Sequence, residues 1–240
     1  MFRFIYVVLA NVKRAPYLIP KMRKMFQHPE RYSEEERYRF AQKMINYMKA
    51  SGKIRTEVYG CEHLPQEGGY VMFPNHQGKY DALGIIYAHE KPCSFVMDKA
   101  KSYSFLVKEF VDMLGAKRLE LDNVRQNLTI INEITEDVKK GRRYVLFSEG
   151  GYDQNKNHVQ QFKPGSFKCA MRARAPIVPV ALIDSYKPFN SFSLGKVVTK
   201  VVFLEPLFFE DYDGMKTPEI AKIVRGRIMD AMKEFGVDPE

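Results

Sequence analysis

Tryptophan is absent from this chain of 240 residues, cysteine occurs only three times, and no long apolar run is present. The longest early apolar stretch, Phe4 to Ala10, has seven residues, whereas a membrane-spanning helix needs about 20. The segment Asn11 to Arg14 ends this stretch too early for a secretory signal peptide. Hydrophobic residues make up 45% of the chain and charged residues 28%. The composition therefore excludes a polytopic membrane protein, a collagen and a disordered low-complexity chain.

The three cysteines, Cys61, Cys93 and Cys169, are widely spaced and include no C-x-x-C pair. This pattern argues against a disulfide framework and against a structural zinc site. We expect three buried thiols in a reducing compartment. No metal ion is expected either, because no ligand spacing links the histidines outside the candidate site. These histidines are His28, His63, His89 and His158.

Acidic residues are absent before Glu30, although six basic residues precede it. The formal net charge is +9, and the rest of the chain has 32 basic and 29 acidic residues, or only +3. An evenly basic surface is typical of nucleic-acid binding, whereas a basic end beside bulky apolar side chains is typical of binding to an anionic membrane. The chain fits the second pattern. The six basic residues are Arg3, Lys13, Arg14, Lys21, Arg23 and Lys24.

Residues 1–26 are predicted to form one or two short interfacial helices, broken near Pro16 and Pro20. The six cations are expected to meet lipid headgroups, at about 1 kcal/mol each. The alternative is that these helices pack on the core of the protein's own domain. The apolar residues expected to enter the lipid boundary are Phe2, Phe4, Tyr6, Val7, Tyr17, Leu18 and Ile19.

Helical and strand periodicities alternate along the rest of the chain. Ser33 and Glu36 match a capping box, which predicts a helix over 33–52. This alternation predicts a single α/β domain over 53–240, with a central mixed or largely parallel sheet flanked by helices, after a helical membrane-docking segment over 1–52. Further helices are predicted over 82–88, 103–114, 124–140 and 220–235, and strands over 53–59, 69–73, 92–97, 144–147, 177–183 and 197–204.

Ligands of such sheets bind where strands end, and a histidine follows the predicted strand 69–73. His76 precedes Asp81 by five residues, so a tight turn can return the carboxylate to the imidazole. One ring nitrogen would be fixed and the other would be a general base, while the N–H groups of residues 77–79 are expected to stabilise an oxyanion. The chain has no G-x-S-x-G motif, so deprotonation of a substrate hydroxyl is favoured over a serine nucleophile. Taken alone, such a pair is more often structural.

Three further segments complete a set of motifs: Phe147 to Tyr152 (F-S-E-G-G-Y), Phe162 to Gly165 (F-K-P-G) and Pro176 to Val180 (P-I-V-P-V). Together with N-H-Q-G-K-Y-D from Asn75 to Asp81, this order resembles the glycerolipid acyltransferase family, specifically 1-acyl-sn-glycerol-3-phosphate acyltransferases of the PlsC type. The corresponding family blocks read N-H-x-S-x-x-D, F-P-E-G-T-R and P-hydrophobic-x-P-V. The resemblance covers about residues 70–205, and the N-terminal helices also suit the family's membrane-docking helices.

The resemblance implies that His76 is the general base of an H-x-x-x-x-D motif and that Asp81 orients it. The deprotonated acceptor hydroxyl would then attack a fatty acyl thioester directly. Glu149 and Gly150 match the family's E-G and, with Gly151, would bind the glycerol-phosphate part of the acceptor. The alternative for Glu149 is a carboxylate that caps the following segment.

Several positions depart from the family pattern. Gly78 replaces a serine, Ser148 replaces a proline, and Gly151 with Tyr152 replaces Thr-Arg. The departures remove arginines that are expected to bind the acceptor phosphate. Counted without a gap from Gly115, the arginine of the family's second block falls on Leu121.

Other cations are therefore expected to bind the acceptor phosphate, because a phosphate dianion needs two or three of them in a pocket. The lysine of the family's second block falls on Lys99, with Lys101 as a close alternative. We expect Lys117 or Arg118, with Lys99 and Arg125, to replace the missing arginines. The alternative is that these side chains are solvated surface charges.

The resemblance thus implies a peripheral enzyme on the cytoplasmic face of the cell membrane that makes phosphatidic acid from 1-acyl-glycerol-3-phosphate. No cofactor is expected, and acyl-CoA or an acyl carrier protein thioester would be the co-substrate. One alternative is the same chemistry on another lysophospholipid or a glycolipid. Another is a non-catalytic membrane- or lipid-binding protein with a degenerate site. Nucleic acid is not an expected partner, because the charge after residue 28 is only +3.

Overall fold

A seven-stranded sheet forms the centre of the computed structural model, which describes residues 2–104, 106–120 and 123–240. Across the sheet the strand order is β1-β7-β6-β2-β5-β3-β4. Neighbouring strands are parallel except β6 and β7, which confirms the predicted largely parallel or mixed sheet. The strands are β1 (Ile54–Tyr59), β2 (Val71–Pro74), β3 (Ser94–Asp98), β4 (Lys117–Leu119), β5 (Tyr144–Val145), β6 (Ile177–Ile183) and β7 (Val197–Phe203).

One edge of the sheet collects the segments that matter for function. Strands β6, β2, β5, β3 and β4 run in the same direction, so their carboxyl ends meet at this edge. Strand β7 runs the opposite way and therefore begins there, as does β1, which is parallel to β7. We call this the carboxyl edge. Strand β6 is apolar and buried throughout, as expected for a central strand with both faces covered.

Helices cover both faces of the sheet. Along β2, Val71 and Phe73 belong to one hydrophobic cluster and Met72 to another, because successive side chains point to opposite faces. The first cluster includes residues of α7, α8 and α11, and the second includes residues of α2, α3, α4 and α6. The helices are α1 (Phe2–Asn11), α2 (Ala15–Gln27), α3 (Glu34–Gly52), α4 (Asp81–Ala88), α5 (Lys99–Ser102), α6 (Val107–Met113), α7 (Val124–Lys139), α8 (Lys168–Ala173), α9 (Lys187–Asn190), α10 (Phe209–Tyr212) and α11 (Thr217–Glu234).

The predicted helix over 103–114 is the largest error among the elements after residue 53. The structure has the short helix α5 before it, and α6 begins only at Val107. Leu106 has a left-handed backbone (φ 69°), which no continuous α-helix allows. The carboxylate of Asp98 caps α5 by accepting from the Lys101 N–H at 2.9 Å. Elsewhere the capping box of Ser33 and Glu36 is confirmed.

The N-terminal segment is helical and is interrupted near Pro16 as predicted, but the break predicted near Pro20 is wrong. The break falls at residues 12–14, and Pro20 lies inside α2. Pro16 is in the first turn of α2, where a helix needs no N–H from it. The Asn11 side chain donates hydrogen bonds to the carbonyl of Val7 and to the hydroxyl of Ser51, each at 2.8 Å. The last residue of α1 is therefore hydrogen-bonded both to the preceding turn of the same helix and to α3.

Two of the residues predicted to enter lipid are instead part of the core. Val7 is 1% exposed and Leu18 is 8% exposed, because Val7 packs with Ile54 and Leu18 packs with α3. Phe4 and Ile19 are partly buried against the same clusters. The large apolar side chains that are exposed on α1 and α2, or between them, are Phe2, Ile5, Tyr6, Leu9, Val12, Tyr17 and Phe26.

The prediction that Arg3 meets lipid headgroups is also wrong, because its side chain is completely buried. The guanidinium donates to three backbone carbonyls, those of Gly52 (3.0 Å), Ser193 (2.8 Å) and Gly195 (2.8 Å). Helix α1 is thereby attached to the loop 191–196 between α9 and β7. In that loop the Phe192 side chain is 83% exposed.

The cysteine prediction is correct at two positions and wrong at the third. Cys93 and Cys169 are buried, but Cys61 is exposed. Cys61 follows β1 in a single turn of 3-10 helix with no buried residue. Its surroundings are therefore those of a surface loop.

The predicted boundary between residues 52 and 53 stays a prediction. In the structure, α2 and α3 contribute Met22, Met25 and Ile45 to the same cluster that contains Met72 of β2 and Val145 of β5. The N-terminal helices therefore share a core with the sheet. None of the helices in the described ranges combines the length and the apolarity that a membrane-spanning segment requires.

Candidate active site

His76 and Asp81 lie together at the carboxyl edge. His76 is the second residue after β2, and Asp81 is the first residue of α4. The Nδ1 atom of His76 is 2.7 Å from Oδ2 of Asp81. Asp81 is completely buried, whereas the His76 side chain is 17% exposed. Because Nδ1 donates to the carboxylate, Nε2 is left with its lone pair, which is the arrangement of a general base.

The turn between the two residues is held by the same carboxylate oxygen. Oδ2 of Asp81 also accepts the N–H groups of Gln77 (2.5 Å) and Gly78 (2.9 Å). The expectation that these two N–H groups stabilise an oxyanion is therefore wrong, because they already have a partner. Oδ1 of Asp81 is buried and has no hydrogen-bond partner among the described residues.

Two aromatic rings contact the imidazole. The Phe147 ring stacks on His76 with centroids 4.1 Å apart and an interplanar angle of 26°. The Tyr152 ring meets it edge to face, with centroids 4.6 Å apart and an angle of 77°. Both residues come from the segment after β5, next to β2 in the sheet. The rings hold the imidazole in one orientation and exclude water from part of its surface.

Glu149 is hydrogen-bonded to the backbone of the loop between β2 and α4 that contains His76. Its Oε1 accepts the N–H of His76 at 3.1 Å, while its buried Oε2 has no partner among the described residues. Burial, with a contribution from the charge of Asp81, raises the pKa of the Glu149 carboxyl to about 8, although the bond from His76 opposes this. At neutral pH this carboxyl therefore retains its proton in most molecules.

Sequence reasoning missed three polar residues that position His76. The Asn75 side chain donates to the carbonyl of Leu182 (3.0 Å) and accepts its N–H (2.7 Å), as a further strand residue would. The Gln77 side chain also donates to the carbonyl of Leu182, at 2.7 Å. Asn155 donates to the carbonyl of His76 at 2.9 Å. The only sequence signal was the run of polar residues directly after an apolar strand.

Most of the predicted phosphate-binding cations already have carboxylate partners. Lys99 pairs with Glu120. Lys117 pairs with Glu133 and with Asp137, at 2.9 and 3.3 Å. Arg118 pairs with Asp112 and also donates to the hydroxyl of Ser102 at 2.9 Å. Their role as phosphate ligands stays a prediction. To bind a phosphate, each side chain would have to break its ion pair or keep it while contacting the phosphate as well.

The other predicted residues are placed differently. The Lys101 ammonium lies 5.5 Å from the centroid of the Tyr152 ring. Gly150 has a left-handed backbone (φ 78°), and a Cβ at this position would overlap the Lys163 side chain as far as its ammonium. Arg125 is exposed in the first turn of α7, which follows β4 at the end of the sheet. Leu121 lies outside the described residues.

The fold and the site together define a class: an α/β protein with a solvent-accessible histidine–aspartate pair at the carboxyl edge of its sheet. The profile of the family described as Acyltransferase matches residues 55–183, more than half of the chain. This protein therefore belongs to the Acyltransferase family.

Curated relatives match most of this chain at modest identity. The 1-acyl-sn-glycerol-3-phosphate acyltransferase of Saccharomyces cerevisiae is 26% identical over 198 residues, which cover 80% of this chain and 64% of the yeast protein. The 1-acyl-sn-glycerol-3-phosphate acyltransferase alpha of Homo sapiens is 26% identical over 205 residues, 81% of this chain and 70% of the human protein. The chain thus spans about two thirds of the length of these relatives.

A solved structure shows the same fold over nearly the whole chain. The crystal structure of the 1-acyl-sn-glycerophosphate (LPA) acyltransferase PlsC from Thermotoga maritima superposes with a TM-score of 0.78 at 17% identity. The match covers 98% of this chain and 96% of the other. The resemblance in sequence and the observed architecture therefore agree.

Proposed function

We propose that this protein transfers a fatty acyl group from an acyl thioester to the free hydroxyl of 1-acyl-glycerol-3-phosphate, giving phosphatidic acid. The observation that supports this most directly is the His76–Asp81 pair, in which Nδ1 is bonded and Nε2 has no hydrogen-bond partner among the described residues. Relatives named for this reaction cover about four fifths of the chain.

The proposed reaction needs no covalent enzyme intermediate. Nε2 of His76 takes the proton from the acceptor hydroxyl as its oxygen attacks the thioester carbonyl carbon. The tetrahedral intermediate then collapses, the C–S bond breaks, and the proton on His76 passes to the leaving thiolate. Asp81 stabilises the imidazolium that forms in between. The Glu149 carboxyl holds the N–H of His76 through Oε1, and with Gly150 and Gly151 it would lie beside the glycerol-phosphate part of the acceptor.

Thiol release by the purified full chain tests this proposal. The assay uses acyl-CoA or acyl carrier protein thioester and a panel of lysolipids and glycolipids. Release that depends on 1-acyl-glycerol-3-phosphate is expected, together with formation of phosphatidic acid. Thiol release only with another lysophospholipid or a glycolipid would support acyl transfer but refute 1-acyl-glycerol-3-phosphate as the acceptor.

His76→Ala distinguishes an enzyme from a lipid-binding protein with a degenerate site. The variant should lose thiol release while its circular dichroism spectrum and cooperative unfolding are retained, because Asp81 still accepts the N–H groups of Gln77 and Gly78. Unchanged turnover would refute the assignment of His76 as the base.

We further propose that the protein is peripheral on the cytoplasmic face of an anionic membrane. Exposed apolar side chains of α1 and the exposed Phe192 and Leu194 of the loop 191–196 support this, because Arg3 joins the two segments. The cations Lys13 and Arg14 directly follow α1 and are themselves exposed. Aromatic and aliphatic groups beside cations are the composition of an interfacial surface.

This surface is close to the catalytic pair. The Phe4 ring lies 5.2 Å from the ring of Phe189 and 4.9 Å from the ammonium of Lys79, measured to its centroid. Lys79 lies between His76 and Asp81 in the sequence. A membrane bound by α1 would therefore present its lysolipid next to the base.

A further inference from the structure

Two lysines lie close to His76 and Asp81: Lys163, which has no role in the arguments above, and Lys101, the alternative lysine of the family's second block. Within the described ranges, neither the Lys163 nor the Lys101 ammonium has a carboxylate within ion-pairing distance, unlike Lys99, Lys117 and Arg118. Both side chains are exposed at the carboxyl edge. We propose that Lys163, together with Lys101, binds the phosphate of the acceptor; this rests on the proposed function.

Lys163 is placed beside the loop that contacts the catalytic histidine. Its aliphatic chain and ammonium lie against Gly150, at the place where a Cβ would stand. Gly150 directly follows Glu149, whose carboxyl accepts the N–H of His76. The positive φ of 78° favours glycine here, and a Cβ would also displace the flexible end of the Lys163 side chain.

Lys101 approaches the same loop from β3. Its ammonium is 5.5 Å from the centroid of the Tyr152 ring, and that ring in turn contacts the imidazole of His76. In 1-acyl-glycerol-3-phosphate, only a few covalent bonds separate the reacting hydroxyl from the phosphorus atom. A phosphate held near residues 150–152 is therefore compatible with a hydroxyl at Nε2 of His76.

The departures from the family pattern fit this assignment. Tyr152 stands where the family has an arginine, so a cation is missing from the loop itself. Ser148 stands where the family has a proline, and its hydroxyl bonds to that of Ser166 at 2.8 Å. The carbonyl of Ser148 also accepts the N–H of Lys163 at 2.8 Å. The serine hydroxyl, which proline lacks, thus stabilises the turn that contains Lys163, the cation proposed to replace the missing arginine.

Steady-state kinetics of the full chain with acyl-CoA and 1-acyl-glycerol-3-phosphate test the proposal. Lys163→Met keeps the length of the side chain and removes its charge. A charge-assisted hydrogen bond to phosphate is lost, so KM for the acceptor should rise about 10- to 100-fold with kcat little changed. Lys163→Arg should keep KM near the wild-type value, and Lys101→Met should raise it. Lys168→Met, at an exposed lysine of the neighbouring helix α8, is the matched control.

Inhibition by glycerol 3-phosphate is the second measurement. Its inhibition constant against 1-acyl-glycerol-3-phosphate should rise with KM in Lys163→Met, whereas inhibition by 1-acylglycerol, which lacks phosphate, should be unchanged. Unchanged KM in Lys163→Met, or an equal loss for both inhibitors, would overturn the proposal. A rise in KM that occurs only in Lys117→Met would instead indicate that the acceptor phosphate binds beside Lys117 of β4. A wild-type protein that is inactive on every phosphate-containing acceptor would instead refute the proposed function.

Discussion

At the scale of single residues, Asp81 has more contacts than its place in an H-x-x-x-x-D motif suggests. One oxygen accepts from the imidazole of His76 and from the backbone of Gln77 and Gly78. The carboxylate therefore orients the imidazole of His76 and also closes the turn that presents it. Substitution should affect both the chemistry and the shape of the loop.

Asp81→Asn separates these two effects. The amide keeps the size of the side chain and one acceptor oxygen, but it removes the charge that stabilises the imidazolium. We expect kcat to fall about 10²- to 10⁴-fold, with a much smaller change in KM. Thiol-release kinetics measure both quantities, and a variant with nearly wild-type kcat would contradict the role of Asp81.

Glu149→Gln should change how stability depends on pH. The pKa of Glu149 is raised to about 8 in the folded protein from 4.5. The folded state therefore binds the proton more tightly than the unfolded state. The resulting contribution to stability is complete below pH 4.5 and is lost as the pH rises through about 8. The slope is at most about 1.4 kcal/mol per pH unit. Glutamine has no such slope, so the variant should gain stability relative to wild type from about pH 5 to pH 8.

Urea unfolding at intervals of one pH unit measures this difference. Glu67→Gln, at an exposed carboxylate, is the control and should follow the wild-type curve. If the curves of Glu149→Gln and wild type run parallel between pH 5 and pH 9, the raised pKa is not present in solution.

At the scale of secondary structure elements, the loop between α9 and β7 is part of the N-terminal surface. Arg3 bonds to the carbonyls of Ser193 and Gly195 and so fixes the loop against α1. Because β7 is antiparallel to β6, this loop lies at the carboxyl edge, where His76 and Asp81 also lie. The exposed apolar side chains of both segments therefore belong to one surface, which we have proposed to bind the membrane.

The double variant Phe192→Ser, Leu194→Ser should weaken membrane binding. Burial of one large apolar side chain is worth about 1.5–3 kcal/mol, so partitioning onto vesicles with anionic phosphatidylglycerol should fall at least about tenfold. Cosedimentation with vesicles measures it. Phe208→Ser is the matched control, because Phe208 is 46% exposed but lies next to Leu207, which pairs with the first residue of β6 at the opposite edge. Equal losses in both proteins would argue against this surface.

At the scale of the whole molecule, the N-terminal helices and the sheet have a common core. Met22 of α2 is 1% exposed and lies in the same cluster as Met72 of β2. The exposed apolar side chains of residues 2–12 therefore belong to an N-terminal segment whose helices also stabilise the α/β domain. A flexible N-terminal anchor would not place side chains such as Met22 in the core of the sheet.

Met22→Ala should lower the free energy of unfolding by about 2–5 kcal/mol, the usual cost of truncating a buried methionine. Leu9→Ala, at a position of α1 that is 62% exposed, should change it by less than about 0.5 kcal/mol. Chemical denaturation measures both. If Met22→Ala also had no effect, the helices would be separable from the core and the boundary between residues 52 and 53 would be a true domain boundary.

The sequence by itself determined the features that depend on neighbours along the chain. Helices and strands follow from periodicity and from caps such as Ser33 with Glu36, and the His76–Asp81 pair follows from a five-residue spacing that one turn can close. Chain order and motif spacing also sufficed for the family resemblance. These are local properties, so a linear reading finds them.

Packing in three dimensions, and not proximity along the chain, sets which charged and apolar side chains remain exposed and unpaired. Lys117 is neutralised by Glu133 and Asp137 of the next helix, and Arg3 is buried by carbonyls about 190 residues away. Lys163 reaches Gly150 because a turn after β5 brings them together. Ionic and apolar contacts act over a few ångströms in space, whatever the separation along the chain, so the partners of these residues were fixed by the packing of the sheet and its helices.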